Sequence, residues 1–260
     1  MRIATWNING VKARLDTALG WLQAARPDVV LLQETKSEDQ AFPRAPFEDL
    51  GYNLALHGQK GFNGVAILSK LPLEDISMGL EGDAEDEHCR FIEAVISVPS
   101  GAIRVVSLYL PNGNPPGTEK FAYKLGWMER LEAWSRKHLE AEETFILGGD
   151  FNVIPERRDA RFPENWTTDA LFQPEARAAF RRLTNLGLTD ALRATTNRND
   201  VYTFWDYQAG AWQKNNGIRI DHFLLSPQAA DRLVSVAVDK AIRTAEKPSD
   251  HVPVLVAMEL

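Results

Sequence analysis

The sequence predicts a layered α/β protein, and three observations support this prediction. Short runs rich in apolar and β-branched residues have the length of buried strands. Between some of these runs lie segments whose apolar side chains recur at helical spacing. The chain has 260 residues, 44% of them hydrophobic, and this is enough for one large core. We therefore expect a single domain over residues 1–260, with strands and helices in separate layers.

Each predicted element rests on a local pattern. The first helix begins near Leu15 and ends before Pro27, the second spans 118–142, and the third spans 174–186 before a glycine. The predicted strands are Ile3–Trp6, Val29–Leu32, Val65–Leu68, Phe91–Val98, Arg104–Leu110, Phe145–Leu147, Ile218–Leu225 and Val252–Met258. The predicted loops are 111–117, 155–168 and 195–200.

Composition excludes several classes of protein. The single cysteine, Cys89, rules out an internal disulfide framework and a thiolate metal site. No apolar run is long enough to cross a membrane, so we expect a cytoplasmic protein. The net charge of −7 argues against binding nucleic acid through overall basicity. A local basic rim stays compatible with this charge, and Lys36 and Arg219 are among its candidates.

Five short polar motifs, each closing an apolar run, dominate the sequence. Buried charges without partners are costly, so one core would hold this set only if a metal or a charged substrate compensated it. We therefore expect one active site assembled from strand ends. The motifs are Trp6–Gly10, Gln33–Lys36, Gly149–Asn152, Arg219–His222 and Ser249–His251.

The second motif indicates a divalent cation. Glu34 follows a strand, where its carboxylate can hold a hard cation through oxygen, and Asn7 could add a neutral ligand. Such a set suits Mg²⁺ better than Zn²⁺, with Mn²⁺ as a substitute, because no Cys or His cluster has zinc spacing. A helix cap or a surface salt bridge is the alternative for Glu34 alone.

The third and fifth motifs could carry acid–base chemistry. Asp150 and Asn152 fall on one face of an extended chain, where they could activate a water and bind an oxygen of the substrate. The local alternative is a Gly-Gly-Asp turn. Asp221 could orient His251 and favour its protonated form, whereas Asp250 could simply cap a turn.

These motifs, in this order, resemble the exonuclease III family of abasic-site DNA endonucleases, within the endonuclease/exonuclease/phosphatase superfamily. The similarity runs from Ile3 to His251. The segments specific to the DNA-repair branch are Leu31–Lys36, Ser107–Asn112, Tyr202–Trp205 and Gly217–Asp221.

The resemblance implies a four-layer α/β sandwich, in which two packed mixed β-sheets are flanked by helices. It also implies a catalytic group, a metal group and a substrate-binding group. The catalytic group is Tyr109, Asp150, Asn152, Asp221 and His251. The metal group is Asn7, Glu34, Asp150, Asn152, Asp250 and His251, around Mg²⁺. The substrate-binding group is Lys36, Asn112, Phe204, Ile218, Arg219 and Ile220.

The implied activity is metal-dependent incision of duplex DNA 5′ to abasic sites and removal of 3′ blocking groups or nucleotides. Phe204, Ile218 and Ile220 would form a pocket for the flipped-out abasic sugar, although each could equally be a core residue. The implied partner is duplex DNA, and a monomer suffices. The two alternatives are a phosphatase or phospholipase acting on inositol phosphates or sphingomyelin, and a catalytically inert DNA-binding relative.

Overall fold

Two six-stranded β-sheets form the centre of the molecule. The computed structural model describes residues 1–260. The strands are β1 Arg2–Asn7, β2 Val29–Gln33, β3 Asn53–His57, β4 Val65–Ser69, β5 Glu74–Met78, β6 Phe91–Val98, β7 Gly101–Tyr109, β8 Phe145–Asp150, β9 Thr189–Asp190, β10 Asp221–Leu225, β11 Leu233–Val238 and β12 Val254–Met258.

The strand order is β11-β12-β1-β2-β4-β3 in the first sheet and β5-β6-β7-β8-β10-β9 in the second. Both sheets are mixed, because β1–β2 and β7–β8 are parallel pairs and the other neighbours are antiparallel. The helices are α1 Leu15–Ala25, α2 Arg44–Asp49, α3 Glu119–Glu140, α4 Pro174–Asn185, α5 Ala191–Thr195 and α6 Pro227–Ala230.

The core lies in three layers, which confirms the four-layer sandwich. Aliphatic side chains of the two sheets interdigitate between them, for example Leu31 of β2 with Ile146 of β8. The outer face of the first sheet packs against α1 through Trp6 and Trp21. The second sheet packs against α3 and α4, and Trp127 is one of its buried contacts. None of the helices combines the length and the apolar character that crossing a bilayer requires.

The predicted helices agree with α1, α3 and α4 to within a few residues, and all the predicted strands are present in some form. The predicted strand 218–225 is shorter than expected, because β10 starts only at Asp221 and Ile218 makes isolated bridges instead. Four strands were not predicted, namely β3, β5, β9 and β11. These are the four edge strands of the two sheets.

Gly148 and Gly149 lie inside β8 rather than in a turn, which corrects the local interpretation of this segment. A Cβ atom at Gly149 would lie 2.0 Å from the carbonyl oxygen of Leu108 on the neighbouring strand. A Cβ atom at Gly148 would lie 2.5 Å from Leu31 of the facing sheet. The pair therefore lets both β7 and the first sheet approach β8 closely at the strand end that carries Asp150.

We expect Gly149→Ala to destabilise the protein by at least ~1–3 kcal/mol, the usual effect of overpacking a core, because the clash is with backbone. The matched control is Gly126→Ala within α3, where a Cβ atom meets nothing within 4 Å. That change should instead stabilise the protein by ~0.5–1 kcal/mol, since alanine favours helix. Urea unfolding of the two variants measures both effects, and equal stability of the two would contradict the packing argument.

Candidate active site

The ends of the two parallel strand pairs, β1–β2 and β7–β8, and the starts of their antiparallel neighbours meet at one edge of the sandwich. Asn7 ends β1 opposite Gln33 at the end of β2. Tyr109 ends β7 opposite Asp150 at the end of β8. Asp221 starts β10 and lies directly opposite Asp150 on its other side. The convergence of the polar motifs expected from the sequence is therefore present.

Asp150 is at the centre of this group and is 1% exposed. Its Oδ2 accepts a hydrogen bond of 2.9 Å from the side chain of Asn7, and its Oδ1 accepts one of 2.9 Å from the N–H of Asn152. Nε2 of His251 lies 3.7 Å from Oδ2. Burial raises the pKa of Asp150, and the charge of Asp221 adds to this effect, whereas His251 opposes it.

His251 is held as an imidazolium. Its Nδ1 donates to Asp221 Oδ2 at 2.9 Å. Burial alone would lower its pKa, but the charges of Asp221 and Asp150 outweigh burial and raise this pKa to about 10. The backbone N–H of Asp221 in turn donates to the hydroxyl of Thr203 at 3.1 Å. The ring can therefore donate a proton from Nε2 to a group in the cleft while Asp221 fixes its orientation.

Glu34 lies across the cleft from His251 and is partly accessible, with 18% of its side chain exposed. It accepts a hydrogen bond of 2.9 Å from Asn7 Nδ2 and pairs with Lys36 Nζ at 2.9 Å. Burial would raise the pKa of Glu34, but the hydrogen bond from Asn7 and the charge of Lys36 together lower it. The carboxylate of Glu34 is thus ionised. The side-chain amide of Asn7 connects it to the carboxylate of Asp150, because Nδ2 donates to both.

The backbone is strained around these side chains. Asn9, Glu34, Lys36 and Asn152 have φ values between 47° and 51°, in the left-handed region that non-glycine residues avoid. Such residues cost of order 1–3 kcal/mol each and persist where the surrounding structure fixes them. Strand-end backbone in this conformation turns the side chains into the cleft. Two of the four are asparagines, a residue type enriched in this conformation, whereas nothing in the sequence indicates it for Glu34 and Lys36.

The donor atoms around Glu34 fit a hard divalent cation. Glu34 and Asp250 offer carboxylate oxygens, and a chain of contacts links the two. Asn9 Nδ2 donates to Asp250 Oδ1 at 3.0 Å, Lys36 Nζ donates to Asn9 Oδ1 at 2.5 Å, and Lys36 pairs with Glu34. A site that offers oxygen ligands but only a few protein carboxylates suits a small, hard cation. Asn7 Nδ2 donates to the carboxylates of Glu34 and Asp150, and its Oδ1 accepts from the N–H of Asn9. Its role as a metal ligand stays a prediction.

Asp150, Asp221 and His251 also form a compact group, with ligand atoms within 4.8 Å of one another. Such a group could hold a metal ion, in keeping with the prediction of Asp150 and His251 as ligands. Without a metal, His251 is the partner of both carboxylates. Asn152 Nδ2 donates to Leu110 O at 2.8 Å, and its Oδ1 accepts from Asn112 at 3.3 Å. Its role as a metal ligand also stays a prediction.

Lys124 is a site residue that the sequence analysis missed. It lies on α3 and is completely buried, and its Nζ donates to the carbonyl oxygens of Asn112 at 3.0 Å and Asn152 at 2.5 Å. Burial lowers its pKa to about 7 although Asp150 opposes the shift. Lys124 thereby joins the two loops that carry the amides. Its signal in the sequence is a lysine on the apolar face of a helix, three residues after Phe121.

Tyr109 is half-buried beside the two central carboxylates. Burial and the charges of Glu34 and Asp150 raise its pKa well above the usual value, so the phenol stays protonated. The guanidinium of Arg90 lies 4.8 Å from the centre of its ring, and Arg90 Nη1 donates to its carbonyl at 3.3 Å. Tyr109 and Asn112 thus border the cleft as predicted, with Arg90 as an additional neighbour.

The predicted pocket residues differ in exposure. Phe204 is partly exposed, and its ring packs at 5.0 Å against the ring of His251. Ile218 and Ile220 are 1% and 2% exposed and lie in a small core beneath Phe204, together with the partly buried Trp166. The prediction that the two isoleucines present surface to a substrate is corrected, because they support Phe204 from below.

Arg219 is also not at the surface. Its guanidinium is 1% exposed and binds Asp159 at 2.7 Å and Asp190 at 2.9 Å. It also donates to Nδ1 of His222 at 2.9 Å, and burial with this positive neighbour lowers the pKa of His222 to about 4. Arg219 is therefore part of a buried ionic network and not a contact for substrate. His222 is structural, whereas Lys36 borders the cleft.

Comparisons with known proteins agree with this geometry. The model of the endonuclease/exonuclease/phosphatase family matches residues 4–251. Exodeoxyribonuclease III of Haemophilus influenzae is 36% identical over 262 aligned residues, which cover 98% of both chains. An exodeoxyribonuclease of Bacillus subtilis is 31% identical, again over 98% of both chains.

Two solved structures superpose on the whole chain. An AP endonuclease from Archaeoglobus fulgidus is 38% identical with a TM-score of 0.94, and the two chains cover each other completely. The 3′–5′ exonuclease NExo from Neisseria meningitidis is 36% identical with a TM-score of 0.95 over the full length of both chains. A further structure shows the 3′ phosphatase NExo from Neisseria bound to a product DNA hairpin. The chain belongs to the endonuclease/exonuclease/phosphatase family.

Proposed function

We propose that this protein is a DNA-repair phosphodiesterase. It incises duplex DNA 5′ to abasic sites and removes 3′ blocking groups or nucleotides in the 3′ to 5′ direction. The observation that carries the proposal is the buried Asp150–His251–Asp221 group facing Glu34 across a cleft that Phe204 borders. Full-length similarity to exodeoxyribonucleases supports DNA as the substrate, as does the hairpin bound to a related protein.

In this proposal the fixed donors of the cleft act on the phosphate. His251 donates from Nε2 to a phosphoryl oxygen on which negative charge grows during attack. Asp150, within 3.7 Å of that nitrogen, orients the attacking water or accepts its proton. Asn112 and the neutral phenol of Tyr109 contact the phosphate from the other side. None of these groups has to move far, since burial and hydrogen bonds hold each in place.

The cation of the proposal is Mg²⁺, with Mn²⁺ as a substitute, and Glu34 and Asp250 are the residues that would hold it. When bound there, it would polarise the phosphoryl oxygen and stabilise the departing 3′ oxygen. Lys36 pairs with Glu34 and its charge also favours a nearby phosphate. All of these groups come from one chain, so the proposed enzyme works as a monomer, and we place it in the cytoplasm.

Two alternatives are less well supported. A phosphatase or phospholipase on inositol phosphates or sphingomyelin would share the central carboxylates and imidazole. Such an enzyme would have no use for the partly exposed Phe204 beside His251. An inert DNA-binding relative is disfavoured because buried, costly charges such as Asp150 are retained together with their partners.

We expect metal-dependent nicking of a duplex that carries one abasic analogue. The protein with Mg²⁺ should cut 5′ to the analogue and leave a 3′-hydroxyl, whereas EDTA should abolish the cut and MnCl₂ should restore it. Gel electrophoresis of an end-labelled strand measures the product. Turnover of sphingomyelin or an inositol phosphate without nicking would favour the phosphatase alternative, and DNA binding without any turnover would favour the inert one.

We expect Asp150→Asn to lower the cleavage rate by about 10²–10⁴-fold, the usual contribution of a general acid or base. DNA affinity should change little, because Asp150 is buried and offers no positive charge to a phosphate. Single-turnover cleavage and fluorescence anisotropy with a labelled duplex separate the two effects. The matched control is Asp231→Asn at an exposed position. Wild-type cleavage by the Asp150 variant would contradict its assigned role.

We expect Lys124→Met to lower the cleavage rate at saturating DNA by about tenfold, since two carbonyls that fix the Asn112 and Asn152 loops lose their donor. KM should change less, because Lys124 does not reach the surface. The control is Lys137→Met on the same helix, where the side chain is 64% exposed. Steady-state kinetics well below the melting temperature makes the comparison. A change in KM alone would show that Lys124 does not position the catalytic loops.

A further inference from the structure

The loop that precedes β12 carries Asp250 and His251 and is held by a short antiparallel ladder. His251 pairs with Phe204 in an isolated bridge, and the N–H of Trp205 donates to the carbonyl of Asp250 at 2.9 Å. This hydrogen bond is the last backbone bond on that side of the ladder. The place of the imidazole in the cleft therefore depends on what holds the two segments together beyond it.

Arg243 holds this end of the ladder. The carbonyl oxygens of Trp205 and Ser249 lie beyond the last backbone bond, and both residues are 0% exposed. Arg243 Nη1 donates to Ser249 O at 2.5 Å, and Nη2 donates to Trp205 O at 3.4 Å. No other group of the protein donates to either oxygen. Because a buried carbonyl without a donor is costly, one guanidinium fixes the spacing of the two segments.

Two aromatic rings hold the guanidinium in turn. Its central carbon lies 5.4 Å from the ring centres of Tyr207 and of Trp212, within the ~6 Å range of cation–π contacts. Arg243 itself is 8% exposed, so the side chain is not presented to a substrate. Stacking on rings and donation through a planar fork are properties of arginine that lysine does not share.

Tyr207 holds the same loop from the side of the cleft. Its side chain is half-exposed, and its hydroxyl donates to the carbonyl of Pro248 at 2.8 Å. Asn9 Nδ2, which donates to Asp250 at 3.0 Å, lies 3.4 Å from the same hydroxyl. Arg243 and Tyr207 thus contact each other and hold the loop at two successive carbonyls.

We propose that Arg243 is a positioning residue, which holds Asp250 and His251 in the cleft through the backbone of Ser249. The proposal rests on the proposed function, since the rate that Arg243 is expected to affect is that of phosphodiester cleavage. The contact between Arg243 and the loop can also be tested without catalysis.

The kinetic test compares Arg243→Met and Arg243→Lys with the unaltered protein on the abasic duplex. We expect Arg243→Met to lower kcat by about tenfold, because misplaced groups lose their alignment with the phosphate, and KM to change by less than about twofold. Arg243→Lys keeps the charge without the planar fork, so it should also lower kcat.

The matched control is Lys240→Met in the same short helix, Lys240–Thr244. The ammonium of Lys240 also lies over an aromatic ring, 5.3 Å from the ring centre of Trp205, but it donates to neither of the two carbonyls. This variant should cut at the rate of the unaltered protein.

Trp6 provides the measurement that needs no catalysis. Its indole N–H donates to the carbonyl of His251 at 3.4 Å, so its ¹H–¹⁵N resonance reports the position of the loop. In EDTA and without DNA, we expect this resonance to shift in Arg243→Met and to stay in place in Lys240→Met. The indole resonance of Trp127, which is buried against the second sheet, is the internal reference and should not shift in either variant.

A second variant tests the same loop if Arg243→Met fails to fold. Tyr207→Phe removes only a half-exposed hydroxyl and its hydrogen bond to Pro248. We expect it to lower kcat by about threefold, as for the loss of one hydrogen bond, with KM again nearly unchanged. Urea unfolding verifies that each variant is folded at the temperature of the assay.

Several results would overturn the proposal. Cleavage at the unaltered rate by Arg243→Lys would show that the charge matters and not the two hydrogen bonds. A change in KM alone would make Arg243 a contact for DNA, and an equal loss of kcat in Lys240→Met would remove any special role for Arg243. An unshifted Trp6 resonance in Arg243→Met would contradict the link to the loop. If the unaltered protein does not cut the duplex, the proposed function fails, whereas the Trp6 resonance still tests that link.

Discussion

A fully buried carboxylate is stable in a protein core only when fixed donors surround it, and Asp150 imposes this constraint on the whole sandwich. Its donors come from both sheets: Asn7 ends a strand of the first sheet, His251 precedes another strand of that sheet, and Asn152 follows β8 of the second. If one sheet slid over the other, Asp150 would lose the partners that Asn7 and His251 supply. The chemistry of the cleft and the packing of the sandwich therefore depend on the same contacts.

The surrounding structure holds these partners at several levels. Asp221 keeps His251 charged, and the hydroxyl of Thr203 in turn holds the backbone of Asp221. Lys124 reaches the same region from outside the second sheet and joins two loops through their carbonyls. The left-handed backbone at Glu34 has an energetic cost that well-packed strands on either side can offset. The site is rigid because supporting residues such as Thr203 and Lys124 fix the residues that line the cleft.

Sequence patterns predicted the interior of this fold better than its borders. The central strands bury both faces and read as mostly apolar runs, whereas the edge strands β3, β5, β9 and β11 bury at most two residues each. Every residue of β5 is exposed. Helical periodicity located α1, α3 and α4, whose apolar faces are long, and did not locate the helices of four to six residues.

In the site, too, some residues could be predicted from the local sequence and others could not. Glu34, Asp150 and His251 were predictable because ionisable groups at the ends of apolar runs need a common partner. Arg219 and Ile218 were assigned to substrate wrongly, because a residue type does not reveal whether its side chain points into a cleft or into a neighbouring core. The partners of Arg219, namely Asp159 and Asp190, lie 60 and 29 residues away in sequence. Only the folded chain brings them together.

The two ends of the sequence meet in the cleft. Ser249 donates to the carbonyl of Asn7 at 2.7 Å, and the indole of Trp6 donates to the carbonyl of His251 at 3.4 Å. β12 is also the antiparallel neighbour of β1. During synthesis, Trp6 emerges from the ribosome 245 residues before His251. A nascent polypeptide that does not yet include His251 consequently lacks the imidazole that the cleft requires, and it stays chemically idle.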